Sequence, residues 1–513
     1  MVEHVQPSLD QVHAPNARRR LAADRSLGRG FGWARREAVL FPIVALFLVG
    51  VAGRLPYELF QDSWLVILGG REVVEHGLPS HDTLTMWTHG REWIDQQWLA
   101  QLVFYGLFVL GGIKLALFAH VAAAAAAFTL AVIVARRRGA STRSLCWISI
   151  PTYFLLTWGS WNARAQSFAL LLFVAVVALL ISDSRSPSRR VFFVLPLLVL
   201  WANIHGTALV GAVLVALWGM TYALERRRRR QLREWAPRAA ALVAAPLACV
   251  FVSPYAAELP GYYGTMLFNS GFRDFVTEWR PTAASVQTAP FYLLAFLAAW
   301  LVGRRKERLL PFEQVLLAVT LVMGLQSMRS VIWFALAALM LVPTALDGVL
   351  KPITGAMRFP LLNGFLVAGS VAAAVAIVVV VATKPASWFE RSYPSGVLAA
   401  IDRAQARDPH VRVFADAAYA DWLLLRRPEL RGRVAFDVRF ELMSKAELKR
   451  LVRVMRRTEG WRQIIAPYAL FVLKSGPESP LTAAVLRLRR ARVDYRGHGA
   501  VVISRPVEAA RSK

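Results

Sequence analysis

"QDSWLVILGGREVVEHGLPSHDTLTMWTHGREWIDQQW", residues 61–98, decides how this chain is read. The stretch follows the first long apolar run. It nonetheless carries Asp62, His76, His81, Asp82, His89 and Asp95 among Trp64, Trp87, Trp93 and Trp98. Ionisable side chains beside a bilayer are costly, and they mark function more often than filler. Which side of the membrane the loop occupies, and what else shares that side, therefore carries the functional argument.

The surroundings are membrane-like. The chain has 513 residues, 56% of them hydrophobic, and a mean hydropathy of +0.43. These values fit a multi-span membrane protein. The net charge of +28 does not mark a nucleic-acid face, because Arg and Lys come in short blocks between apolar segments. The blocks are "RRR" at 18–20 and 136–138, "RRRRR" at 226–230 and "RRKER" at 304–308. Such blocks are the positive-inside signature of cytoplasmic loops. Cys146 and Cys249 both lie inside apolar runs, so neither a disulfide framework nor a thiolate metal site is indicated. No cleavable signal peptide is evident, and the first apolar run after the basic residues 1–36 reads as a signal anchor.

A hydrocarbon core of about 30 Å needs about 20 helical residues. On that basis eleven spans are expected, at 37–54, 113–135, 144–160, 167–182, 191–203, 207–224, 237–253, 289–303, 309–327, 331–347 and 360–382. This placement puts every strong basic block on one side. The fold class is thus mainly α, a polytopic membrane protein with the N-terminus cytoplasmic. The expected division is a basic tail 1–36, a membrane domain 37–383 with external loops 55–112 and 254–288, and an extracytoplasmic domain 384–513. Within the first loop, "SWLVILGGREVVEHG" sets Trp64, Leu65, Leu68, Val73 and Val74 against Arg71, Glu72 and Glu75. That pattern predicts a helix lying in the interface. "WIDQQWLAQLVFYGLFVLGG" predicts a second interfacial or re-entrant helix. From residue 385 helix-like and short strand-like runs alternate, which predicts a small α/β domain. No glycine-rich phosphate loop precedes its helices, so no nucleotide site is expected there.

Topology also sorts the polar residues. The first loop's acids and histidines share the outer side with Asn162, Arg164 and Gln166 of "WNARAQ" and with Asn203 and His205 of "WANIHG". Glu258, Arg273, Asp274, Glu278 and Arg280 of the 254–288 loop lie there too, with Gln326 and Arg329 around "SMRS". A carboxylate at such a surface can take a proton from an acceptor hydroxyl. Arginine forks match phosphate oxygens. A divalent cation held by carboxylate and histidine would neutralise developing charge in a similar way. Each residue also has a plain structural use: Asp62 as a helix cap, the His81-Asp82 pair as a turn, Arg164 and Arg329 as snorkelling cations.

The loop with its Asp and flanking helices, together with "WNARAQSFALLLF", "WANIHGTALVG", "MRSVIWFALAAL" and "VFADAAYADWLLLRRPELRGRVAFDVRFELM", resembles the GT-C superfamily. More narrowly, it resembles a bacterial group of GT-C-like integral membrane proteins. The resemblance implies a multi-pass glycosyltransferase of the bacterial plasma membrane using a polyprenyl-phosphate sugar donor. The acceptor would be a cell-envelope glycan or a lipid-linked molecule, and nucleic acid would be no partner. It implies an acidic catalytic base in the first loop, by position Asp62 or Asp82, with Asp62 preferred. Arg164 and Arg329 would bind the donor phosphate, and His81, His205 and Glu278 would shape the site. Asp82 and His81 are the candidates should a divalent cation take part. The rival readings are a transporter or flippase of a lipid-linked precursor, and a non-catalytic scaffold with a glycan-binding tail.

Overall fold

Apolar segments fold as helices because a backbone removed from water must satisfy its own hydrogen bonds. The computed structural model describes residues 37–55, 59–159, 162–227, 232–268, 276–304, 306–350, 360–476 and 479–506. In chain order the bundle helices are α1 (Leu40–Arg54), α2 (Asp62–His76), α3 (Trp98–Arg137), α4 (Thr142–Gly159), α5 (Gln166–Arg185), α6 (Val194–Ala202) and α7 (Ala208–Arg227). They continue as α8 (Leu232–Val250), α9 (Leu259–Phe268), α10 (Ala289–Arg304), α11 (Pro311–Gln326), α12 (Val331–Leu346) and α13 (Pro360–Thr383). A helix lies on each of the eleven expected segments. Among the described residues five helices are long and apolar enough to cross a membrane, and four shorter apolar helices accompany them. Residues 1–36, the last three residues of the five-Arg block, and Arg273 and Asp274 lie outside the described residues.

The quoted stretch folds as expected in outline and differently in detail. The 40-residue α3 is broken at Gly111 and Gly112, so Trp98–Leu110 forms a separate leading helix. Gly112 has φ 65°, a left-handed conformation that glycine adopts without steric cost. α2 does form, but it is not an amphipathic helix with its charges in solvent. Residues 63–72 are all buried, Arg71 and Glu72 included, whereas Val74 is 61% exposed. The charged face is covered because the C-terminal region docks on it. Arg71 donates to the carbonyls of Leu425 (2.8 Å) and Leu424 (3.0 Å), and Arg431 pairs with Glu72. The two carbonyls belong to the last turn of a helix, where intrahelical partners run out.

Gly69 and Gly70 let α2 and α3 approach. A Cβ at Gly70 would lie 2.2 Å from the backbone oxygen of Gln101 and 2.5 Å from Tyr105 Cβ. A backbone oxygen cannot rotate away, so Gly70→Ala is expected to separate the helices. The cost is about 1–3 kcal/mol, the range for overpacking, and would be seen as a lowered Tm of the detergent-purified protein. Deeper along α3, the alanine run works as close-packing surface: Ala123, Ala124, Ala125 and Ala127 are buried.

The C-terminal region holds α14 (Ser395–Arg407), β1 (Val413–Ala415), α15 (Ala417–Arg426), α16 (Lys445–Arg456), α17 (Trp461–Ile465), β2 (Leu470–Lys474), α18 (Pro480–Leu486), β3 (Arg492–Gly497) and β4 (Ala500–Ser504). The sheet order is β1-β2-β4-β3, with β1 parallel to β2 and the other pairs antiparallel. Side chains alternate between its faces. Val413, Ala415, Leu470, Val472 and Val502 join the core that runs into the bundle. Phe414, Phe471, Leu473, Val501 and Ile503 form a second core under α16, α17 and α18. The first loop joins this structure directly. Met86 and Trp87 donate backbone N–H groups to Val434 (2.8 Å) and Ala435 (3.0 Å), and Thr85 bridges Val434 in parallel.

The two ends of the bundle differ as the charge blocks predict. One end gathers the basic residues against acids: Glu313 pairs with Arg138 and Arg185, Asp183 with Arg238 at 2.6 Å, and Glu37 with Arg136 at 2.5 Å. The other end carries the loops and the α/β region.

Candidate active site

Five separate segments at the loop end bring Asp62, Arg164, His205, Glu278 and Arg329 together. Asp62 opens α2, and the residue before it, Gln61, holds φ 43°. A non-glycine residue there is strained, and such strain persists where the surroundings over-determine the geometry. Gln61 occupies the cap position and Asp62 the first helical turn. Arg164 stands between α4 and α5, its side chain 6% exposed. Its Nη1 lies 3.5 Å from Asp62 Oδ2 and 3.2 Å from Glu278 Oε2. The two carboxylates are 34% and 33% exposed, so one buried cation holds two half-open acids.

Glu278 and Arg329 reach the site on segments tied together. Met328 N–H donates to the Arg280 carbonyl (3.1 Å), Thr282 N–H to that of Leu325 (3.1 Å), and Ser327 Oγ to that of Glu278 (3.0 Å). Arg329 lies over the Trp279 ring at 5.8 Å and places Nη2 3.5 Å from His205 Nε2. His205 is held on its other side by Thr207 Oγ1, 2.9 Å from Nδ1. The first loop clamps this turn: Gln96 Nε2 donates to the Ala202 carbonyl (2.6 Å) and Trp98 Nε1 to Asn203 Oδ1 (3.0 Å).

The electrostatics follow from this packing. Burial pushes Glu278 up, but Arg164 and Arg329 outweigh it and hold the carboxyl below its ordinary value. Burial, with Arg329 and Arg164 adding repulsion, pushes His205 well below its ordinary value. At neutral pH the site therefore presents an ionised Glu278, a neutral imidazole and two guanidinium groups.

Asp82 stands apart from this group. It is completely buried. One oxygen accepts from Leu84 N–H (2.9 Å) and Arg439 Nη2 (2.7 Å), the other from Thr85 (2.9 Å) and Thr88 (2.6 Å) hydroxyls. Burial pushes this carboxyl up, and Arg439 with the hydrogen bonds more than reverses it. Its lone pairs are committed to joining the loop to the tail. His81 is exposed, with Nδ1 3.0 Å from Ser80 Oγ, so the structure does not converge it with Asp82 on a shared point. Among the described residues no group of three His, Cys, Asp or Glu side chains is placed to hold a metal ion.

No family model matches the chain, and no curated protein matches it. Solved structures are similar to it, three of which follow. The structure of ArnT from Cupriavidus metallidurans bound to undecaprenyl phosphate aligns over 91% of this chain and 98% of its own, at 15% identity and a TM-score of 0.49. The same protein in the apo state gives 14% identity over 90% of this chain and 97% of its own, with a TM-score of 0.46. The archaeal oligosaccharyltransferase AglB from Archaeoglobus fulgidus, in complex with an inhibitory peptide and a dolichol-phosphate, covers 92% of this chain and 74% of its own. Its identity is 10% and its TM-score 0.45.

Three neighbours of the site were not singled out by sequence. Tyr262, on α9, belongs here because a Cβ at Gly206, next to His205, would lie 3.2 Å from both its hydroxyl and Gln96 Oε1. Glu441 comes from the C-terminal region. Burial raises its carboxyl to about 7, against the pull of Arg439, with Asp437 and Asp62 adding repulsion. Asp95, noted only as one acid of the loop, is 3% exposed and accepts from Gln101 Nε2 (2.8 Å). Burial raises it to about 7, offset in part by Arg439 and by hydrogen bonds from Gln97 and Gln101.

A raised carboxyl has a defined linkage. Asp95 contributes stability that is complete below its unfolded value near 4 and is lost as pH rises to about 7. Asp95→Asn removes that titration. The variant's stability, read from Tm, is expected to gain on the parent's between pH 5 and pH 8, by about 3 kcal/mol at most. Parallel curves for the two proteins would contradict the assignment.

Proposed function

We propose that the chain is a glycosyltransferase of the GT-C class that moves a sugar from a polyprenyl-phosphate donor to a cell-envelope acceptor at the extracytoplasmic face. The observation that carries the reading is the meeting of Asp62, Arg164 and Glu278 with Arg329 and His205, from separate connections at one end of an apolar bundle. A lipid-linked donor presents its reactive bond at headgroup depth, where such loops would lie.

Each residue then has a task. Asp62, half-open and held loosely by Arg164, takes the proton from the acceptor hydroxyl. The acceptor oxygen attacks the anomeric carbon, the carbon–oxygen bond to phosphate breaks, and the configuration inverts. Arg329 has no carboxylate within ion-pair distance among the described residues. It is the side chain best suited to the phosphate that leaves, because a guanidinium fork matches phosphate oxygens. Arg164 completes that charge while fixing Asp62 against Glu278. His205, kept neutral by burial and by the two arginines, orients Arg329. Asp82 acts through structure: it holds the loop that carries Asp62 against the tail.

Membranes containing the protein, given a labelled polyprenyl-phosphate sugar and envelope acceptor, are expected to form a new glycosidic bond. Movement of the labelled headgroup across reconstituted vesicles with no new bond would select the transporter reading instead.

A further inference from the structure

α16 is divided sharply into two faces. Leu448, Leu451 and Val454 point into the second core, whereas Lys449, Arg453 and Arg456 stand exposed at i, i+4 and i+7. Arg457 follows at the end of α16, Arg462 lies on α17, and Arg490 follows α18, all exposed. The three helices pack together over one sheet face, so these cations share a surface. No ion pair joins any of the six to a carboxylate among the described residues. The acid of the same helix, Glu447, turns instead to Arg91 at 2.8 Å and to the Ser444 cap. Two of the six also hold left-handed backbone: Arg457 at φ 56° and Arg490 at φ 58°. Glycine or asparagine would fill such positions with less strain, so a charged side chain is kept there at a conformational cost.

We infer that this face of the tail binds an anionic glycan polymer bearing repeated phosphate or carboxylate groups. Spacing supports a polymer over a single small anion. Successive cations on the stripe are about 6 and about 4.5 Å apart along the helix, so three of them cover about 10 Å. Position supports a polymer over the bilayer. The sheet stands between this layer and the core that is continuous with the bundle, so the cations face away from the membrane-embedded part. An extended cationic surface attracts a polyanion over a Debye length and pairs bidentately on contact. The cell-envelope setting rests on the topology proposed above, whereas polyanion binding does not.

The test uses the full chain in nanodiscs of zwitterionic lipid, with fluorescent poly(glycerol phosphate) as probe and neutral dextran as control. The parent is expected to bind the polymer and not dextran, with affinity falling at least roughly tenfold as salt is raised through the range where the Debye length shortens to a few ångströms. The triple variant Lys449→Gln, Arg453→Gln, Arg456→Gln is expected to lose at least about tenfold in affinity. The pair Arg453→Lys, Arg456→Lys keeps the charge and most of the binding. The Tm of both variants stays close to the parent's, which shows that they fold. Four results would overturn the proposal: equal binding by the triple variant, no preference over dextran, retention only on phosphatidylglycerol vesicles, or a clear preference for an RNA oligonucleotide. Binding is read without turnover, so a failed transfer assay does not decide it.

Discussion

Arg439→Met is expected to destabilise the protein by about 3–5 kcal/mol and to loosen the tail from the first loop. The guanidinium is 1% exposed. Nη2 binds Asp82 Oδ1 at 2.7 Å and Asp437 Oδ2 at 2.5 Å, Nε binds Asp437 Oδ2 at 2.8 Å, and the group lies 4.2 Å from the Trp93 ring centroid. Methionine fills much of the volume but leaves two buried carboxylates with no cation. Asp421, also buried, is already pushed well up by burial and by Asp437, so the cluster has no spare positive charge. In the parent, Asp82 is held below its ordinary value, and that contribution is lost only as pH falls through its folded value. In the variant both acids rise, so stability is present in acid and lost as pH climbs. The gap in Tm between parent and variant is therefore expected to narrow from pH 8 to pH 5, and proteolysis of the tail to quicken at pH 8. A gap independent of pH would mean that packing, and not charge, is what Arg439 supplies.

Asp62→Asn is expected to lower kcat for sugar transfer by about 10²–10⁴, the range for loss of a positioned general base, while donor binding changes little. Asparagine keeps the shape and a contact to Arg164 but cannot accept the proton. Asp82→Asn serves as the contrast: its carboxylate lies in the loop–tail junction, so the expected loss is in Tm, with kcat kept in the fraction that stays folded. Full transfer by Asp62→Asn would remove Asp62 from the role of base. The kcat-against-KM split separates a chemical role from a merely structural one.

Much of this is legible in the sequence alone. Hydropathy and the Arg blocks are local properties, and the helices lie where they placed them. The same pattern put Arg164, His205, Glu278 and Arg329 on the side of Asp62, and these residues do meet. The charged face of α2 is not in solvent, for a reason that no local pattern carries. Its charged face looked solvated because its partners, Leu424, Leu425 and Arg431, are more than 350 residues away.

By itself the sequence determined the apolar helices, the side on which polar chemistry gathers and the α/β nature of the tail, because each depends on periodicity or charge within a few turns of chain. Only the tertiary structure gives the two loop acids different surroundings. Asp62 is left half-open beside Arg164, and Asp82 is sealed against Arg439, 357 residues further on. The two carboxylates have the same chemistry and sit in the same loop, so their difference lies entirely in what the fold packs around them.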